Sequence, residues 1–255
     1  LGQGFATEAP TLGRKLVRLL MPLLYKAGLA GAHVVFFLNQ DDEAEFRARG
    51  IIKKQKVVQI PGIGIDLAHF APITVPPPPI TFFMMARLLA EKGVREFAAA
   101  AAIVKAKYPQ VKFQLLGQPE NGKAGVPLNE VRQFQAIEYL GETSDVRPYL
   151  SACHVFVLPT FYREGLPRSI LEAMATGRAI LTTDAPGARE TVVAGVNGYL
   201  VEKRHAAALA AAMERLLQEP DQLQAMGNAS RALAEQRYEV GNINRQIIAA
   251  LTDGR

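Results

Sequence analysis

Glu164 and Glu172 stand eight positions apart, with the turn Gly165-Leu166-Pro167 and the start of a helical pattern between them. Carboxylates accept hydrogen bonds from hydroxyls, and the free amides at a helix N-terminus favour anions. The arrangement suits one elongated ligand, with a neutral polar part at each end and negative charge near the amides between them. A sugar, a diphosphate and a ribose in series have that layout. A second reading of the same residues pairs Glu172 with Arg168 one turn back and leaves Glu164 as a solvated loop residue; such i,i+4 pairs contribute about 0.2–0.5 kcal/mol. Arg87 and Lys92, in A-R-L-L-A-E-K-G, could neutralise the anion. Arginine grips phosphate oxygens as a fork, and lysine adds a mobile point charge. Their alternative is solvation, with Lys92 paired to Glu91. For an activated sugar the chemistry would be transfer: negative charge grows on the departing diphosphate and positive charge on the anomeric carbon and ring oxygen.

The elements around these residues alternate. Val155 to Leu158 is an apolar run of strand formers, a helical pattern (Ile170, Leu171, Met174, Ala175) follows Pro167, Gly177 closes it, and 179–182 reads as the next strand. This is one βαβ unit whose loop lies at the strand's carboxyl end, the edge where open α/β sheets bind ligands. Further strands are expected at 34–38, 56–60, 80–86, 111–116, 137–140 and 198–201. Helices are expected at 11–29, 41–49, 94–108, 129–135, 187–193, 206–217, 221–237 and 242–251, the last after a break at Gly241; Ser144 and Asp145 can cap another that runs to Ser151. Strands separated by helices predict a doubly wound parallel sheet. Gly62 and Gly64 mark a hinge candidate, and Pro76 to Pro79 a stiff extended spacer. Pro22, inside the 11–29 pattern, predicts a kink or a break. The opening L-G-Q-G-F reads as a loop, because no strand precedes its G-x-G.

Composition excludes several classes. The chain has 255 residues, 49% hydrophobic and 21% charged, which is enough to bury a core. One cysteine, Cys153, excludes an internal disulfide, fits a reducing compartment and lies where a core residue is expected. The four histidines are too scattered for a local metal motif, so no metal and no cofactor are expected. A net charge of +5 permits acidic partners. Nucleic acid is disfavoured, since no basic stretch is interleaved with aromatics. Charges interrupt every apolar run before the ~18–20 residues a membrane span requires. The 11–29 pattern, with Leu12, Leu16, Leu19, Leu20, Leu23 and Leu24 against Arg14, Lys15, Arg18 and Lys26, suits burial on a protein sheet or in an anionic membrane face.

Glu164-Gly165-Leu166-Pro167 with Ser169 and Glu172 resembles the Glu-x7-Glu signature of the retaining GT-B glycosyltransferases, most closely family four. The R-x4-K-G loop at Arg87 and Lys92 is similar to that family's diphosphate loop, P-G-I-G-I-D-L-A-H-F to its inter-domain segment, and L-L-G and Y-L-G-E-T to strand ends of its nucleotide pocket. The resemblance implies a Rossmann-like donor-binding domain over 80–240, a hinge over 61–79, the end of the acceptor-side domain over 1–60 and a crossing helix in 241–255. It implies that Glu164 contacts donor-sugar hydroxyls near the reacting carbon, that Gly165, Leu166, Pro167 and Ser169 offer groups to sugar and phosphate, and that Glu172 binds the ribose. Arg87 and Lys92 would take the diphosphate, Leu140 and Gly141 would meet the base, and Gly117 would line the pocket. Transfer would retain anomeric configuration, with Glu164 as charge stabiliser or nucleophile.

The expectation is a hexosyl-type transferase that moves sugar from a UDP-sugar to a polysaccharide or lipid-linked acceptor in bacterial surface polysaccharide or lipopolysaccharide biosynthesis. It would work in the cytoplasm, with peripheral contact at the inner membrane face. The complete GT-B enzyme has a preceding domain, so these residues are expected to bind donor without transferring sugar. Two rivals stand beside this: a nucleotide-sugar-binding module without catalysis, and a GT-B epimerase.

Overall fold

The computed structural model describes residues 12–120 and 122–252, so the G-x-G opening lies outside the described residues. The chain runs α1 (Leu12–Gly28), β1 (Val34–Phe37), α2 (Gln40–Ala48), β2 (Lys56–Gln59), β3 (Thr81–Met85), α3 (Val94–Lys107), β4 (Lys112–Leu116), α4 (Leu128–Val131) and β5 (Glu138–Tyr139). Then come α5 (Arg147–Ala152), β6 (Val155–Leu158), α6 (Arg168–Ala175), β7 (Ala179–Thr183), β8 (Gly198–Val201), α7 (Ala206–Gln218), α8 (Gln222–Arg237) and α9 (Val240–Thr252).

Six strands form one parallel sheet in the order β5-β4-β3-β6-β7-β8, so it is the doubly wound sheet the alternation predicts. From β3 the chain moves outward through β4 to β5, then returns to β6 and moves the other way. Right-handed crossovers in opposite directions place helices on opposite faces, and β3 and β6 become the switch point. α3 packs with α7 and α6 with α8. β6 and β7 are buried along their whole length, as continuous apolar runs covered on both faces must be. Cys153 sits in this core, where burial pushes its thiol up to about 12.

Residues 12–60 form a smaller unit: β1 and β2 pair in parallel, with a core of Val35, Phe37, Phe46, Ile51 and Ile52. Tyr25 of α1 meets the Phe46 ring edge-on at 5.2 Å. Met21 and Tyr25 pack inward on either side of Pro22, and α1 continues through the proline without the expected break. Its other face leaves Leu16, Leu19, Leu20, Leu23 and Leu24 exposed.

Three expected elements differ, two of them for a local reason. The 187–193 helix is only a 3-10 turn at Arg189–Thr191, because the Glu190 carboxylate accepts the Gly187 N–H and Asn197 ties up Thr191 O and Val193 N–H. The last helix starts at Val240 and includes Gly241; Glu239 accepts the Gly241 and Asn242 N–H groups and caps it early. The 129–135 helix shrinks to Leu128–Val131. The stretch just before the expected spacer is fastened to the sheet unit: Arg178 donates to Ile73 O at 2.7 Å, the Gln224 amide accepts Val75 N–H, and Arg231 donates to Leu67 O and Phe70 O. Gly62 and Gly64, upstream of these ties, adopt φ of 81° and 82°, a left-handed conformation that suits glycine.

Candidate active site

The loops after β3 and β6 meet at the switch point of the sheet. After β3 a short 3-10 turn, Ala90–Lys92, ends at Gly93 in a left-handed conformation. A Cβ at Gly93 would lie 2.1 Å from Pro159 O, so glycine alone lets this turn approach the end of β6. Phe161 and Tyr162 N–H groups and the Thr160 hydroxyl then gather on the Glu91 carbonyl. The approach brings Lys92 Nζ to 2.6 Å from Glu164 Oε1, with both side chains 14% exposed. Lys92 therefore pairs with Glu164 rather than with its neighbour Glu91. The Thr160 hydroxyl lies 3.2 Å from the same carboxylate oxygen, and the Tyr162 ring lies 5.6 Å below the Lys92 ammonium. Thr160, Tyr162 and Arg163 carry no spacing that marks them in sequence; only their place in the F-Y-R-E loop could have drawn attention.

Glu172 is held differently. α6 presents it about one turn from the helix start, and Arg168 Nε binds its Oε1 at 3.0 Å, so the i,i+4 pair is formed. Arg168 is 63% exposed and Glu172 only 13%, so the pair is lopsided. Burial raises the Glu172 pKa above the ordinary carboxylate value, with Arg168 opposing that shift. Such a carboxylate is an acceptor poised for hydroxyls that could replace lost water. Pro167 is the cap residue just before α6, and no side chain caps the helix; the Ile170 N–H donates to Pro167 O, while the Arg168 and Ser169 N–H groups have no partner among the described residues.

The remaining predicted residues are placed as follows. Arg87 Nη1 binds Glu120 at 3.0 Å on an exposed surface, and the structure does not bring Arg87 to Glu164. Gly117 has both backbone groups engaged: its N–H donates to Gly141 O and its carbonyl accepts the Tyr139 hydroxyl, each at 2.8 Å. A Cβ there would lie 1.8 Å from Ala86 O, so Gly117 contributes space and not hydrogen bonding. Leu140 N–H donates to Leu115 O, so this amide is not available to a base. Ser169 occupies the first turn of α6. A cavity of about 880 Å³ opens beside the same loop at Leu166, between Leu38–Asp41 and Tyr238, and none of Arg87, Lys92, Glu164 or Glu172 lines it. Among the described residues no group of His, Cys, Asp and Glu is arranged to hold a metal ion.

Comparisons with known proteins agree with this architecture. Residues 79–219 match the family Glycosyl transferases group 1. The chain is 34% identical over 217 residues to an N,N'-diacetylbacillosaminyl-diphospho-undecaprenol alpha-1,3-N-acetylgalactosaminyltransferase of Campylobacter jejuni, covering 80% of this chain and 56% of that protein. It is 28% identical over 205 residues to a putative colanic acid biosynthesis glycosyltransferase, WcaL, of Salmonella typhimurium, covering 76% and 50%. The chain thus spans about half the length of these curated relatives. Among solved structures, Anabaena HepE in complex with UDP matches with a TM-score of 0.77 at 23% identity, covering 87% of this chain and 64% of that one. Sucrose-phosphate synthase from Thermosynechococcus elongatus matches with a TM-score of 0.74 at 25% identity, covering 97% and 66%.

Proposed function

This chain belongs to the group 1 glycosyl transferases, of the GT-B fold and family-four type, and from that premise we propose that the full-length protein transfers a sugar from a UDP-sugar to a lipid-linked or polysaccharide acceptor, with retention of configuration. The observation that carries the reading is the Lys92–Glu164 contact at the switch point, one loop away from a desolvated acceptor carboxylate on α6. Lys92 shifts from Glu164 to the donor diphosphate and neutralises the charge that grows there as the glycosidic bond breaks. Arg87 exchanges Glu120 for phosphate oxygens. Glu172 accepts from the ribose hydroxyls, and Glu164 faces the sugar, where its negative charge favours the cationic anomeric carbon. The departing phosphate is the base that takes the acceptor proton.

The names of the relatives point to bacterial surface glycans and, for the Campylobacter enzyme, to an undecaprenol-linked acceptor. The extra length of those relatives would hold the acceptor, so residues 12–252 alone bind UDP without transfer. Calorimetry with UDP tests the site: Glu172→Ala weakens binding about 10–100-fold, the loss of hydrogen bonds to a charged group. Unchanged affinity removes the assignment. Release of an altered nucleotide sugar without any acceptor would indicate an epimerase instead.

A lipid-linked acceptor also gives a role to α1. No described helix is long and apolar enough to cross a membrane, yet α1 exposes Leu19 at 68% and Leu24 at 65% on a helix whose last turn carries Lys26. That face suits peripheral contact with an anionic bilayer at the cytoplasmic side, and equally burial against further polypeptide. Flotation of the full-length protein with phosphatidylglycerol vesicles at low salt, reduced by Leu19→Glu, supports the first; no flotation leaves only the second.

A further inference from the structure

The loop that carries Glu164 is held from outside the sheet unit. Asn39 is 4% exposed, and its Oδ1 accepts the Asp42 N–H at 2.8 Å as the cap of α2. Its Nδ2 donates to Glu164 O at 3.0 Å and lies 3.4 Å from Gly165 O and 3.2 Å from Asp42 Oδ2. Beside it, Arg163 Nε binds Asp42 Oδ1 and Nη2 binds Asp41 O, both at 2.9 Å, with Glu45 at 3.7 Å from Nη1. From its own side the Glu164 backbone receives only a long bond, N–H to Pro186 O at 3.3 Å. A trans peptide points its N–H opposite to its carbonyl. Holding the Glu164 and Gly165 carbonyls toward Asn39 therefore turns the Gly165 and Leu166 N–H groups away from residues 12–60, and neither has a hydrogen-bond partner among the described residues.

We propose that Asn39, backed by the Asp42–Arg163 pair, is a positioning residue: it fixes the two peptide planes that aim the Glu164 side chain and the Gly165 and Leu166 amides at the donor. The cradle is then complete only while residues 12–60 are seated on the sheet unit. This rests on the donor-binding reading above, but its test does not need a donor.

Asn39→Ser keeps the cap acceptor, since Asn and Ser are equivalent at that position, and removes the amide donor without adding charge beside Asp42. Hydrogen exchange of the full-length protein, followed by mass spectrometry without nucleotide, should show residues 161–164, whose Phe161, Tyr162 and Glu164 N–H groups are bonded to Glu91 O and Pro186 O, exchanging at least about tenfold faster in Asn39→Ser while its thermal midpoint stays within about 4 °C of the wild type. Arg163→Met should speed the same peptide, and Arg163→Lys, which keeps the ion pair, should restore slow exchange. Unchanged exchange of 161–164 in a folded Asn39→Ser overturns the proposal; if that variant does not fold, unchanged exchange in Arg163→Met overturns it. Failure of the wild type to bind UDP would overturn the donor reading and leave this exchange result standing.

Discussion

The two ends of the crevice solve the same problem, fixing a carboxylate, by different means. Glu172 sits on α6, where Arg168 one turn back and the buried helix face set its position locally. Glu164 sits on a loop and is fixed by Lys92, Thr160 and a backbone bond from Asn39, 125 positions away in sequence. Burial against a helix positions a group with few partners, and the consequence is a desolvated charge. The loop carboxylate is just as buried, 14% exposed against 13%, and it needs distant partners, each with a loop-closure entropy to overcome. Binding should therefore rest on the helix end, and turnover on the loop end.

Two substitutions at the loop end give the largest expected effects. Glu164→Gln should lower the rate of transfer by the full-length enzyme about 10²–10³-fold, the usual effect of removing one group that stabilises charge in the transition state, while calorimetry finds UDP affinity hardly changed. Lys92→Met should depress both, with UDP about tenfold weaker, since a charge on phosphate acts in the ground state as well. A loss of UDP affinity in Glu164→Gln equal to that in Glu172→Ala would erase the contrast between the two ends.

A smaller effect sharpens it. Because burial raises the Glu172 pKa in the folded protein, folding favours its protonated form. The stability linked to that proton is fully present below the ordinary carboxylate value and is lost as pH rises through the raised folded value. Glu172→Gln should then raise the thermal midpoint at pH 7 by about 2–4 °C, less the small contribution of the Arg168 pair. The gain should vanish as acid protonates Glu172 itself, and scanning calorimetry from pH 7 to 4 follows it. A midpoint that falls at pH 7 would show that the ion pair outweighs desolvation.

Much of this was legible in sequence because it is periodic. Apolar runs such as Val155 to Leu158, ended by turn residues, gave the βα alternation, and the alternation gave the sheet and its ligand edge. The Glu164–Glu172 spacing left two readings open, of which the Arg168–Glu172 pair is formed, and the candidate donor site rests on the family resemblance. The Lys92–Glu164 pair was not legible, since it depends on how closely Gly93 lets one loop approach another strand. Asn39 could be recognised as a cap ahead of the acidic start of α2, but not as a donor to residue 164, since a tertiary bond leaves no spacing. The 3-10 turn at Arg189–Thr191 escaped prediction for a related reason: the side chains of Glu190 and Asn197 compete for the backbone groups a helix would use.

The ties from Arg178, Gln224 and Arg231 to residues 67–75 have a mechanical consequence. A strap riveted along its length cannot serve as an axle, so residues 67–75 travel with the sheet as one body. On the hinge proposed at Gly62 and Gly64, a swing of residues 12–60 would strain the bond from Asn39 to the Glu164 backbone.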